Sequence, residues 1–113
     1  MSTARSNNVY VIRGHGRIKV GHSVKPEKRL SELRNATPEK LTLVRRFPCD
    51  PGRAFERLVH ELLKPWKMRG EWFSCETGAV DVAVEAIRSG CNRRVRYLKL
   101  RAEADAAERR WLF

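Results

Sequence analysis

Between Arg53 and Leu63 the apolar residues Phe55, Leu58, Val59, Leu62 and Leu63 recur at the i, i+3, i+4, i+7, i+8 spacing of an amphipathic helix. With that stripe centred near Phe55, steps of about 100° per residue put Glu56 at its border, beside Leu63. His60 follows one turn along the same border, and Arg57 and Glu61 fall on the opposite, solvated side. A carboxylate at the rim of a core is partly desolvated and rigidly held, which suits a ligand of a hard cation. Pairing with a neighbouring basic residue is the plainer alternative, and periodicity by itself favours it. Arg29 stands next to Leu30, also near an apolar border, and its planar guanidinium matches phosphate oxygens. With 24 Lys and Arg in the chain, however, some basic residue is bound to border a core. Tyr10 lies among Val9, Val11 and Ile12, where alternation puts Tyr10 and Ile12 on one face and the valines on the other. Tyrosines so placed mostly serve packing, with a satisfied hydroxyl. Lys19 occupies the facing strand, and His22 follows just beyond it.

These residues need elements to carry them. Val9–Arg13 and Arg17–Gly21 read as strands, and Gly14-His15-Gly16 supplies the flexible link of a β-hairpin, with His15 solvated in the turn. Pro26 fits the first turn of a helix, Glu27 suits its positive end, and Leu30 and Leu33 face the core. Asn35, before Thr37-Pro38, is its stop. Leu41–Phe47 reads as a third strand, broken by Pro48–Gly52. After the Arg53–Leu63 helix, Pro65 and Gly70 punctuate, and Glu71–Ser74 forms a last short strand. A further helix carries Val80, Ala83, Val84 and Ile87 on one face and ends at Gly90, and the tail from Arg94 to about Arg110 is helical. The order β-β-α-β-α-β-α-α predicts an α+β domain on a small sheet. It assigns 1–7 to a polar tail, 8–90 to the domain and 91–113 to a basic helical extension.

Composition narrows the partners. At 113 residues with 42% hydrophobic content the chain is one domain with a real core, not a disordered basic tail. Lys plus Arg number 24 and Asp plus Glu 13, so the net charge is +11, as expected of a protein that meets polyanions, nucleic acid above all. An acidic protein partner is the competing explanation of that charge. A membrane-surface role is disfavoured, because the apolar stripes are needed for the core. Cys49, Cys75 and Cys91 are odd in number and form no C-x-x-C pair, against a disulfide framework or a zinc knuckle and in keeping with a reducing, cytoplasmic setting. The first eight residues are polar, which predicts no signal peptide, and no apolar run reaches transmembrane length.

Taken in order, Val9-Tyr10-Val11-Ile12, Ile18-Lys19-Val20-Gly21-His22-Ser23 and Pro26-Glu27-Lys28-Arg29-Leu30 resemble the GIY-YIG nuclease family. Glu56 with His60, and Gly70-Glu71-Trp72-Phe73, extend the likeness to roughly residues 8 to 75. It is greatest to the phage and prophage branch, whose second motif reads K-[IV]-G. The resemblance implies a three-stranded antiparallel sheet flanked by helices. It implies that Tyr10 acts as or orients the general base, that Arg29 steadies the scissile phosphate and that Glu56 binds one Mg2+ or Mn2+. Lys19 stands where a tyrosine is usual. Members with lysine there carry an active-site histidine at a spacing comparable to His22. The late asparagine of many members has no match, Asn92 lying outside the similar region.

Within that resemblance Lys19 is expected to favour a Tyr10 phenolate. His22 would bind phosphate or assist proton transfer, and His60 would do the same or orient Glu56. Trp72 and Phe73 are expected to anchor the sheet, with Glu71 a candidate beside the site. Arg93, Arg94, Arg96, Lys99 and Arg101 form a basic run that on a helix tracks phosphates or is simply solvated. The expectation is a DNA endonuclease, monomeric or homodimeric. The alternatives are a non-cutting nucleic-acid-binding module of the same fold and an adaptor for an acidic protein.

Overall fold

The computed structural model describes residues 7–49, 51–90, 98 and 100–106. The β-branched runs around Tyr10 and Lys19 form β1 (Asn8–Gly14) and β2 (Arg17–Ser23), an antiparallel hairpin. Its turn puts Gly16 at φ +70°, where a side chain would be strained. Pro26 opens α1 (Pro26–Ala36), which ends before the restricted Thr37-Pro38 pair. There follow β3 (Thr42–Pro48), α2 (Gly52–Leu62), a 3₁₀ turn at Lys64–Trp66, β4 (Trp72–Phe73) and α3 (Thr77–Ser89). The α3 helix stops where Gly90 turns left-handed. Residues 100–106 are helical, and Leu98 and Ala102 join the main core. The α+β class and the order from β1 to α3 are as expected, whereas most of the helix expected from Arg94 to about Arg110 lies outside the described residues. None of the described helices is long and apolar enough to cross a membrane.

The sheet has four strands, where the resemblance implies three, in the order β3-β1-β2-β4, antiparallel throughout. The extra strand is the Trp72-Phe73 segment, which pairs only with Ile18 and Lys19. On the other side, Val11 faces Arg45 and Ile12 faces Leu43, so Val44 is an extra residue that bulges β3. Because side chains alternate, the sheet has two apolar faces. Val9, Val11, Ile18, Val20 and Phe73 pack against Val59 and Leu63 beside α2, and against Val80 and Val84 of α3. Tyr10 and Ile12 pack on the other face with Leu30 of α1 and with Leu41. Each such aliphatic side chain, fully buried, contributes about 1.5–3 kcal/mol.

Two expectations about α2 need correcting together. Its buried positions are Gly52, Glu56 and Val59, so the helix is turned from the Phe55-centred stripe by less than one residue step. Leu58, expected in the core, is 50% exposed, and Glu56, expected at the border, is buried. The reason lies at the helix start. A Cβ on Gly52 would stand 2.8 Å from Asn7 Cβ, so glycine allows this end to seat directly on the chain entering β1.

Gly21 has an equally specific function. It faces Tyr10 across the hairpin, and a Cβ there would come within 2.6 Å of Tyr10 Cζ. The phenol ring therefore lies across the neighbouring strand, over bare backbone. Gly21→Ala should displace the ring and lower stability by about 1–3 kcal/mol in urea unfolding, as overpacking does.

Candidate functional site

The β4 strand ends its pairing with β2 at Lys19, so from Val20 onward β2 is an edge. Groups from both sheet faces reach this edge. Tyr10 and Lys19 belong to the α1 face, and Tyr10 crosses Gly21 toward the edge. His22 points to the α2 face and meets Glu56, its Nδ1 lying 2.8 Å from Glu56 Oε2. Glu71, in the turn before β4, accepts the Val20 N–H with its carbonyl and holds its carboxylate 2.9 Å from Lys19 Nζ. The Val20 carbonyl beside it takes a 2.7 Å hydrogen bond from His60 Nε2. His60 thus occupies the place of a missing strand donor, and its ring also stands edge-on to Phe73, centroids 5.0 Å apart.

Arg29, on the exposed side of α1, contacts Glu32 at 3.5 Å and brings its guanidinium within the electrostatic reach of the Tyr10 hydroxyl. Burial raises the Tyr10 pKa, and the negative charges of Glu71 and Glu56 add to that. The Arg29 guanidinium opposes them without reversing the direction. The cation acting on Tyr10 is therefore Arg29. The expectation that Lys19 would favour a phenolate is not met, because Lys19 faces Ile12 and spends its charge on Glu71. Trp72 presents its ring to Lys19 and Arg17, with the Arg17 guanidinium 3.9 Å from its centroid.

Glu56 is 8% exposed, and its Oε1 is fully buried with no hydrogen-bond donor. His60 Nε2 is 3.8 Å from that oxygen and already committed to Val20. Burial pushes the Glu56 carboxyl above the usual carboxylate range, the His22 hydrogen bond pulls against this, and the nearby Glu71 carboxylate pushes further. For Glu71 burial acts upward too, but the Lys19 ammonium outweighs it and holds this carboxyl below the usual range. Both acids open on a cleft of about 480 Å³ walled by Arg53, Arg57, Lys64 and Lys67. A second cleft, of about 300 Å³, lies beside Ser23, Lys25, Lys28 and Arg29.

The structure therefore brings Tyr10, Lys19, His22, Arg29, Glu56 and His60 to one edge. Glu71 is the residue whose weight the sequence understated; its only signal was the Gly70-Glu71-Trp72-Phe73 string. Arg93, Arg94, Arg96 and Lys99, like Cys91, lie outside the described residues. Arg101 is exposed, with Nε 3.6 Å from Asp105 Oδ1. Burial pushes the Cys75 thiol up to about 12, so it is no nucleophile. Among the described residues no group of three or more His, Cys, Asp or Glu is arranged to hold a metal ion. The buried, unpartnered Glu56 Oε1 nevertheless fits a single cation-binding carboxylate.

A pH signature follows from Glu56. A carboxyl whose folded pKa is raised contributes stability at low pH that is lost as pH rises through that value. Glu56→Gln lacks this loss. In urea unfolding without metal, the variant should gain on the wild type as pH rises from about 4 to about 8, a span that crosses the carboxylate range. A constant difference over that span contradicts the burial cost.

No curated protein and no solved structure matches the chain. The family model of the T5orf172 domain does match, over residues 7–89, which spans β1 to the end of α3 and every residue of the edge site. The chain belongs to the T5orf172 domain family.

Proposed function

We propose that the protein is a metal-dependent endonuclease of the GIY-YIG kind that hydrolyses phosphodiester bonds of DNA. The observation that carries this reading is Glu56. A buried carboxylate with an unpartnered oxygen faces a cationic cleft, and its charge reaches the Tyr10 phenol across the open strand edge. The T5orf172 domain, found in nuclease-like proteins of phages and bacteria, and the net charge of +11 support the same class.

Glu56 would hold Mg2+ or Mn2+. When bound, the cation neutralises charge on the phosphate and on the departing oxygen. The remaining work belongs to the chain. Arg29 offers its free donors to a phosphate oxygen as charge builds in the transition state. Through the same guanidinium it orients the Tyr10 hydroxyl, which takes the proton of the attacking water as phenolate. His22 donates from Nδ1 to the Glu56 carboxylate and so fixes the orientation of that acid. Lys19 anchors Glu71, and His60 fixes the edge that supports Glu56.

Because Tyr10 has a raised pKa, its active phenolate is scarce at neutrality. The cleavage rate should climb about tenfold per pH unit from neutrality into the alkaline range. Tyr10→Phe should lose about 10²–10⁴-fold in rate and flatten the climb. A climb that survives in Tyr10→Phe assigns the base to another group.

Glu56→Ala tests the metal role. Incubated with single-stranded, duplex and branched DNA and with RNA, it should give no products with Mg2+ or Mn2+ while its circular dichroism matches the wild type. Undiminished cutting by this variant overturns the assignment. Salt-sensitive binding without products from the wild type would make the domain a binding module.

A further inference from the structure

Glu71 reaches the same cleft as Glu56 from a separate element, the turn before β4. We propose that Glu71 is a second carboxylate ligand of the divalent cation, opposite Glu56, an inference that rests on the metal reading above.

Three observations support it. Glu56 is 8% exposed, and its Oε1 atom is buried without any donor, so the pocket presents a negative oxygen with nothing to satisfy it. The Glu71 and Glu56 carboxyls line one cleft, and each acts on the other's charge. Two carboxylates facing one cleft repel unless a proton or a cation lies between them. Lys19 takes Glu71 Oε1, which leaves the second oxygen of Glu71 free for the cleft and fixes the rotamer that presents it. Lysine at position 19 thus acquires a purpose that a tyrosine there could not serve, because a phenol brings no fixed positive charge to hold an acid in place.

The chemistry of the donor set agrees. A small hard cation commonly takes one or two carboxylates, keeps several waters and accepts substrate phosphate as a further ligand. Two acids from α2 and the β4 turn meet that requirement. The Arg53, Arg57, Lys64 and Lys67 side chains around them are left to meet the phosphates.

The test is Mn2+ titration of the purified chain without nucleic acid, with free ion followed by electron paramagnetic resonance. The wild type should show one site, and Glu56→Gln should lose it. Glu71→Gln should bind about tenfold or more weakly. Glu61→Gln, which removes an equal charge from the exposed part of the same wall, should stay within about twofold, since screening weakens distant exposed charges. Glu71→Asp keeps the charge with a shorter reach and should fall between wild type and Glu71→Gln. Circular dichroism checks each variant, and Glu71→Asp decides if Glu71→Gln does not fold. Glu71→Gln affinity equal to that of Glu61→Gln, or wild-type affinity in Glu71→Asp, overturns the proposal and leaves the Glu56 site standing. No site in the wild type, or an unaltered one in Glu56→Gln, overturns the cation reading and this inference with it.

Discussion

Taking a carboxylate out of water is unfavourable unless both its oxygens find donors or a cation, and Glu56 satisfies that demand only by half. His22 meets Oε2, while Oε1 is enclosed without a partner. The rest of the edge is arranged around this imbalance. Gly52 seats the start of α2 so closely that Glu56 turns inward in place of Leu58. His60, one turn on, braces the same helix against the Val20 carbonyl and so keeps the buried acid at the strand edge. A fold selected for stability alone would place an apolar side chain at this position.

The brevity of β4 is the architectural counterpart. A longer fourth strand would pair β2 along its whole length and separate the two faces of the sheet. With pairing ended at Lys19, the Tyr10 and Arg29 face and the His22 and Glu56 face meet around one open edge. The exposed main chain is not left unsatisfied. Glu71 and His60 supply the acceptor and donor that a strand would have given to Val20. Polar groups that close the edge are thereby also the groups that line the site. Tyr10 can reach it only because Gly21 leaves the neighbouring strand bare.

Most of the fold was legible in the sequence because alternation and the 3.6-residue period report burial directly. The division of Tyr10 and Ile12 from Val9 and Val11, the proline start of α1 and the glycine stop of α3 all follow from local chemistry. The rotation of α2 was not legible, because it depends on a tertiary contact of Gly52 that leaves no periodic trace. The expected influence of Lys19 on Tyr10 is not met for a related reason. Sequence shows that the two share a face, but not that Gly21 lies between Tyr10 and the edge, or that Glu71 waits beside Lys19. The gathering of Tyr10, Arg29 and Glu56 was visible only through the family resemblance, since each is an ordinary structural residue when read alone.

The proposed reaction depends on a divalent cation seated on the unpartnered oxygen of Glu56. Anomalous diffraction from crystals grown with Mn2+ and a non-cleavable oligonucleotide tests it most directly. A manganese peak in bonding contact with Glu56 Oε1, with a phosphate oxygen in its shell beside Arg29, is the predicted result. Manganese bound elsewhere on the chain, with Glu56 Oε1 turned to a protein donor, would contradict the account.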